Sequence, residues 1–194
     1  HGGPANPDAF FTYEFAKEII EEFTYVSWDQ RGCGRTYYKN KHIDAKNESA
    51  DYEQAIKDVD ELVDYLCKRF KKDKVFIMGH SYGSLLGTSY VAKYPKKVEG
   101  YIGIGQSISI KATQELNYNE VANLLINDKK RTDELEKAYQ RLKNGFNLEN
   151  LNKFARLTMP CLVANMPELK QTNQIKLLLS SPDLSFNDIR WLMG

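Results

Sequence analysis

Residues 75–83 constrain the fold of this chain more than any other stretch. Val75-Phe76-Ile77-Met78 is an unbroken apolar run, the pattern of a strand buried on both faces. It leads directly into Gly79-His80-Ser81-Tyr82-Gly83, and helical spacing of Leu85, Leu86, Tyr90 and Val91 follows at once, stopping at Tyr94-Pro95. A strand joined to a helix without an intervening loop must turn within very few residues. Small residues two before and two after the serine keep such a turn free of clashes, and a serine at the apex sits in strained backbone with its hydroxyl presented outward. The helix then directs the positive end of its dipole at the space before that hydroxyl. A plain strand-to-helix turn could carry the same five residues, but the apolar strand before and the helix after favour the reactive reading.

The flanking sequence extends the alternation. Phe11, Phe15, Ile19 and Phe23 recur at helical spacing, and residues 24–28 are rich in β-branched and aromatic side chains and end at Asp29. A polar, turn-rich stretch reaches Asn47. Ile56, Val59, Leu62, Val63, Leu66 and Phe70 then mark one face of an amphipathic helix. Its basic end, with Lys68, Arg69, Lys71 and Lys72, suits the negative end of a helix dipole and reads as solvated. Residues 98–105 form the next strand. The order predicts strand, helix, strand, helix, strand, and so a parallel α/β sheet over residues 1–106.

Past residue 107 strand signals stop. Four helical stripes follow: Val121, Leu124 and Leu125; Leu135, Ala138, Tyr139 and Leu142, ending at Asn144-Gly145; Leu148, Leu151 and Phe154; Ile175, Leu178 and Leu179. Ile189, Leu192 and Met193 begin a fifth. The pattern predicts an all-helical lobe over residues 107–194, set apart from the α/β core.

Bulk properties remove several classes of function. With 27 Lys and Arg against 26 Asp and Glu, the net charge of +1 supplies no field for a nucleic acid. Cys33, Cys67 and Cys161 are too few and too scattered for a disulfide framework or a zinc site; they predict reduced thiols and a cytoplasmic setting. No apolar run approaches the roughly 18 residues of a membrane span. Gly103-Ile104-Gly105 lacks the third glycine of a dinucleotide fingerprint, because Gln106-Ser107-Ile108 follows.

Two further segments belong with the serine turn. In His1-Gly2-Gly3-Pro4 the paired glycines let backbone N–H groups approach a developing negative charge closely. With the Tyr82 N–H, the Gly3 N–H completes a two-donor oxyanion hole on the loop that carries Gly2. Asp29-Gln30-Arg31-Gly32-Cys33-Gly34-Arg35 follows a strand, at the edge where open α/β sheets bind ligands. Arg31 and Asp29 read either as a structural pair bracing the glycine loop, the favoured reading, or as groups facing substrate. Cys33 lies between two glycines near the site.

Together the three segments resemble the prolyl aminopeptidases (proline iminopeptidases, peptidase family S33) of the α/β-hydrolase fold. These carry an H-G-G-P-G loop, a D-Q-R-G-x-G-R/S segment and a G-x-S-x-G elbow in this order. The resemblance covers about residues 1–106. It implies a partial α/β-hydrolase sheet with an inserted helical cap, Ser81 as nucleophile through an acyl-enzyme, Tyr82 and Gly3 as backbone oxyanion donors, and a short-peptide or other small substrate. It implies no metal and no organic cofactor.

The chain departs from that pattern. Ala5 stands where the loop has a fifth-position glycine, and the acidic cap residues that hold a substrate amino group have no match in residues 107–194. A triad in this fold runs Ser, then Asp or Glu, then His. The three histidines are His1, His42 and His80, and none follows Ser81. His1 belongs to the glycine loop, His80 reads as a core or loop residue, and His42 as solvated. Asp183 and Asp188 lie in a helical stretch with no strand before them. The expectation is a fragment, inactive alone, that lacks the first strands and the triad acid and base, rather than a degenerate pseudoenzyme. An esterase, lipase or thioesterase on the same scaffold, and a non-catalytic binding protein, remain as alternatives.

Overall fold

The computed structural model describes residues 1–3, 7, 9, 13, 16–166 and 178–193. Pro4 and Ala5 of the glycine loop, Phe11 and Phe15 of the first stripe, and Ile175 of the fourth lie outside the described residues. The chain divides into two compact units: His1–Ile108 together with Gln174–Gly194, and Ser109–Asn173.

The first unit contains α1 (Ile19–Glu22), α2 (Gly34–Asn40), α3 (Tyr52–Phe70), β1 (Val75–His80), α4 (Tyr82–Lys93), β2 (Val98–Ile104) and α8 (Phe186–Met193). Asp51 caps α3 by accepting from the Gln54 N–H, and Lys71 closes it in the left-handed conformation. The basic side chains at that end are exposed, as their solvated reading requires. β1 and β2 pair in parallel, with His80 opposite Ile104, and α4 is their crossover. Ile56, Val59 and Val63 of α3 meet Leu86 and Tyr90 of α4 in a core that also takes in Trp28, Val75 and Ile77. Gly87 lets α4 close on the sheet: a methyl there would stand 2.8 Å from Tyr101 Cε2 and 3.5 Å from Ile77 Cγ2.

Three expectations need correction. Residues 24–28 enter no ladder among the described residues. Of these side chains Trp28 packs in the core, whereas Thr24, Val26 and Ser27 are exposed; β propensity becomes a strand only where a neighbour's backbone edge is available. β1 is not buried on both faces: Ile77 faces α4, whereas Phe76 is 55% exposed, as are Ile102 and Ile104 in large part. The helices cover one side of the two-stranded sheet. Finally, the expected lobe of residues 107–194 loses its last segment, because Gln174–Gly194 groups with the first unit. Helical periodicity marks an apolar face without specifying what that face meets.

The second unit is helical: α5 (Ile110–Leu124), α6 (Lys129–Asn144) and α7 (Leu148–Ala164). Ser109, Asp128 and Asn147 cap them, each side chain accepting the N–H three residues on. Val121, Leu125, Leu135, Leu142, Phe154 and Cys161 form its core, and the Tyr118 and Tyr139 rings stack beside it at 4.2 Å. No helix among the described residues is long and apolar enough to cross a membrane.

Candidate active site

The turn between β1 and α4 has the strained geometry its sequence predicts. Ser81 sits at φ 50°, ψ −115°, a region that costs a side-chain-bearing residue about 1–3 kcal/mol and persists only where the surroundings impose it. The Ser81 N–H donates to Ile104 O at 2.9 Å, and the Ser81 carbonyl accepts from the Ser84 N–H at 2.9 Å and from Ser84 Oγ at 2.5 Å. Fully buried Ser84 also accepts from the Ser107 N–H at 2.9 Å, so one hydroxyl ties the elbow to the chain leaving β2. A methyl on Gly79 would overlap Gly83 O and lie 2.8 Å from Gly83 C. Both motif glycines are therefore demanded by close backbone approach.

Tyr82 opens α4, where helix geometry supplies its N–H with no acceptor from a preceding turn. Its half-buried ring meets Tyr52 edge-on at 6.3 Å. Burial first, then Tyr52, pushes the Tyr82 phenol above its ordinary range and keeps it neutral. Tyr52 Oη in turn reaches Leu85 O at 3.0 Å and Ser89 Oγ at 2.8 Å, bracing the first turns of α4.

The glycine loop lies against this elbow. Gly2 is buried, and a methyl on it would approach His80 Nδ1 to 3.3 Å and Ser81 Cβ to 3.5 Å. A methyl on Gly83 would come within 2.7 Å of His1 O. Gly3 adopts φ 115°, which side chains rarely tolerate. His1 is occupied: its Nδ1 is 2.8 Å from Gly2 O, and its Nε2 is 3.3 Å from the Gln30 N–H. A proton on Nδ1 with Nε2 as acceptor satisfies both contacts, which makes this imidazole a brace between two loops. His80 is exposed at the end of β1 beside Gly2, which corrects the core half of its core-or-loop reading, and His42 is exposed in the turn after α2. Thus Gly2, Ser81 and the start of α4 come together, with Gly3 adjoining them in the chain.

The 29–35 segment supports the loop from behind. Asp29 Oδ2 accepts the Arg35 N–H at 2.7 Å, and Thr36 Oγ1 donates to Asp29 O at 2.7 Å, which fixes the first turn of α2. Gly34, at φ 46°, makes room for that carboxylate. Cys33 is fully buried as the residue before α2. Arg31 forks onto Asp58 of α3 at 2.8 and 2.7 Å, so its structural partner is Asp58 where Asp29 was expected. Burial raises the Asp58 carboxyl, but the hydrogen bonds from Arg31 and Gln54 outweigh it and hold the group below its ordinary range. A cleft of about 740 Å³ runs past Trp28, Arg31, Tyr37, Asp44 and Asp58, and Ser81 does not line it.

Sequence reasoning missed Ser84, Gln30 and the partner of Arg35. Ser84 carried a signal, since a serine three residues into a helix can turn back onto the preceding carbonyl. Arg35 carried none. It binds Asp188, a contact that joins residues 153 positions apart. Asp183 is exposed, and its carbonyl oxygen also accepts from Arg35.

Comparison with known proteins gives the family. The family described as serine aminopeptidase, S33, matches residues 11–181. The chain is 31% identical over 124 residues to the probable aminopeptidase YbaC of Bacillus subtilis, covering 64% of this chain and 38% of that protein. It is 30% identical over 114 residues to a proline iminopeptidase of Thermoplasma volcanium, covering 58% of this chain and 35% of the relative. With a proline iminopeptidase of Saccharolobus solfataricus the identity is 28% over 108 residues, or 53% and 30% of the two chains. The matched part thus spans little more than a third of these relatives at most. A chain with this elbow, this parallel β–α–β unit and a family match over most of its length belongs to the serine aminopeptidase S33 family of α/β-hydrolases.

Proposed function

We propose that Ser81 is the nucleophile of a serine hydrolase that releases an N-terminal amino acid, of the proline type, from short peptides. One observation carries the reading. Ser81 is held at positive φ on a turn where Gly79 and Gly83 meet backbone too closely for a side chain, with Gly2 packed beside it. Strain of this kind is retained where it orients a reacting group.

In this mechanism Ser81 Oγ attacks the scissile carbonyl carbon, and the carbonyl π electrons move onto oxygen. The Tyr82 and Gly3 N–H groups hold that oxyanion, with the α4 dipole adding to the field. Collapse expels the peptide amine, which takes a proton as it leaves, and the acyl-enzyme is then hydrolysed by water. An imidazole oriented by a carboxylate must take and return the Ser81 proton. His1 is engaged as a brace and Asp188 by Arg35, so neither role is assigned to a residue of this chain. The aminopeptidase and proline iminopeptidase names of the relatives support an aminoacyl substrate.

The test uses the protein expressed from its complete gene, with turnover of prolyl and other aminoacyl amides compared against short acyl esters. Ser81→Ala should lower kcat by about 10⁴-fold or more, while the melting temperature stays near that of the parent. A fluorophosphonate should label Ser81 in that protein, and residues 1–194 alone weakly or not at all. Retained turnover in Ser81→Ala removes Ser81 from the mechanism, and turnover of esters without amides replaces the aminopeptidase with an esterase or thioesterase.

A further inference from the structure

Asp188 is 1% exposed, on a helix far along the chain from the elbow. A carboxylate withdrawn from water costs several kcal/mol unless a cation and hydrogen bonds replace its hydration. Both are present. Arg35 Nη2 and Nε reach Asp188 Oδ2 at 2.7 and 3.0 Å, and the Ser185 N–H and Oγ donate to the same oxygen at 2.8 and 2.7 Å. Aromatic contacts close the interface: the Trp191 ring lies 5.5 Å from Tyr37 and 6.1 Å from Tyr38, and Arg190 stands over Tyr38 at 4.7 Å. The Arg35 side chain remains 43% exposed, so the pair by itself is weak evidence of added stability. Its planar fork does fix one register of the two helices.

From Arg35 the contacts run on to the elbow. The Arg35 N–H is held by Asp29 at 2.7 Å. The next residue, buried Gln30, donates its N–H to His1 Nε2, His1 Nδ1 meets Gly2 O, and Gly2 lies on Ser81. We propose that Asp188 is a positioning residue of the Ser81 site: through Arg35 it holds the turn at 29–36, and through Gln30 and His1 it keeps Gly2, and with it the adjoining Gly3, in place beside Ser81. The inference rests on the reading of Ser81 as nucleophile. Asp188 touches no reacting atom; it sets the distance from the oxyanion donors to the attacking oxygen.

Asp188→Asn in the protein from the complete gene keeps the side-chain size and leaves Arg35 without its counter-charge. The expected result is about a tenfold to hundredfold fall in kcat, with KM within about twofold, and a similar slowing of fluorophosphonate labelling at Ser81. Amide exchange should accelerate at residues 2–3 and 29–36 but not over β1 and α4. Arg35→Lys, which keeps the charge and loses the fork, should show a smaller fall of the same kind, and it decides the matter if Asp188→Asn does not fold. Labelling and kcat within twofold of wild type, or a rise in KM alone, overturns the proposal. If the wild type itself fails to label at Ser81, the nucleophile reading falls, and exchange decides alone: unchanged protection at 2–3 overturns the positioning role, and lost protection supports it.

Discussion

The α/β unit and the helical lobe both pack leucines and aromatic rings against helices, yet they handle their backbones differently. Every described residue with positive φ belongs to the first unit: Gly3, Gly32, Gly34, Asn47, Lys71, Ser81 and Gly105. The lobe has none among its described residues, and each of its three helices starts from a side-chain cap. By contrast Cys33 and Ser81, which precede α2 and α4, provide no side-chain cap. The lobe therefore follows local rules at each step. The first unit departs from them around Ser81, where glycine contacts and buried polar groups compel a conformation that local preference opposes. The lesson is that the departures from local rules, more than the regular elements, single out the candidate site.

Mutations can break or sharpen this contrast. The largest effect on stability belongs to the lobe. Phe154→Ala, at a fully buried position against Tyr139, should cost about 3–5 kcal/mol by urea unfolding. A loss below 1 kcal/mol would mean that the lobe core is not the ordinary packed core described. Ser81→Gly should act in the opposite direction, stabilising by about 1 kcal/mol because glycine adopts φ 50° without strain. A destabilised Ser81→Gly would show that the elbow is unstrained and erase the difference between the regions. The smallest effect is acid sensitivity at Asp188. Burial raises its carboxyl, while Arg35 and Ser185 outweigh burial and hold it below the ordinary value of 3.8. A depressed folded value means that the unfolded chain binds more protons in the window below 3.8, so stability is full above that value and falls as pH drops through the folded one. Trp191 emission should shift to the red in acid, and Asp188→Asn should remove that transition. An unchanged acid transition in Asp188→Asn would assign it to other carboxylates.

Much of this was legible along the chain. The α3 stripe appears as a helix with Ile56, Val59 and Val63 buried, and β1 and α4 flank Ser81 where the apolar run and the leucines place them. The structure adds a reciprocal pair that sequence reasoning had not singled out: the Ser185 and Asp188 side chains each accept the other's N–H. What was not legible depended on partners distant in the chain. Residues 24–28 have the composition of a strand but enter no ladder among the described residues, and Arg31 took Asp58 as its partner.

The sequence by itself determined the serine turn. Gly79 and Gly83 permit the backbone approach, and the helix after Ser81 follows from the spacing of its leucines, because these are steric and periodic facts local to a few residues. Only the tertiary structure decided what surrounds that turn: Gly2 on Ser81, His1 bridging to Gln30, and Asp188 on Arg35. Each of these contacts joins residues between 29 and 153 positions apart. Such pairings are selected by burial and by the need of each buried polar group for a partner, and both exist only once the chain has folded.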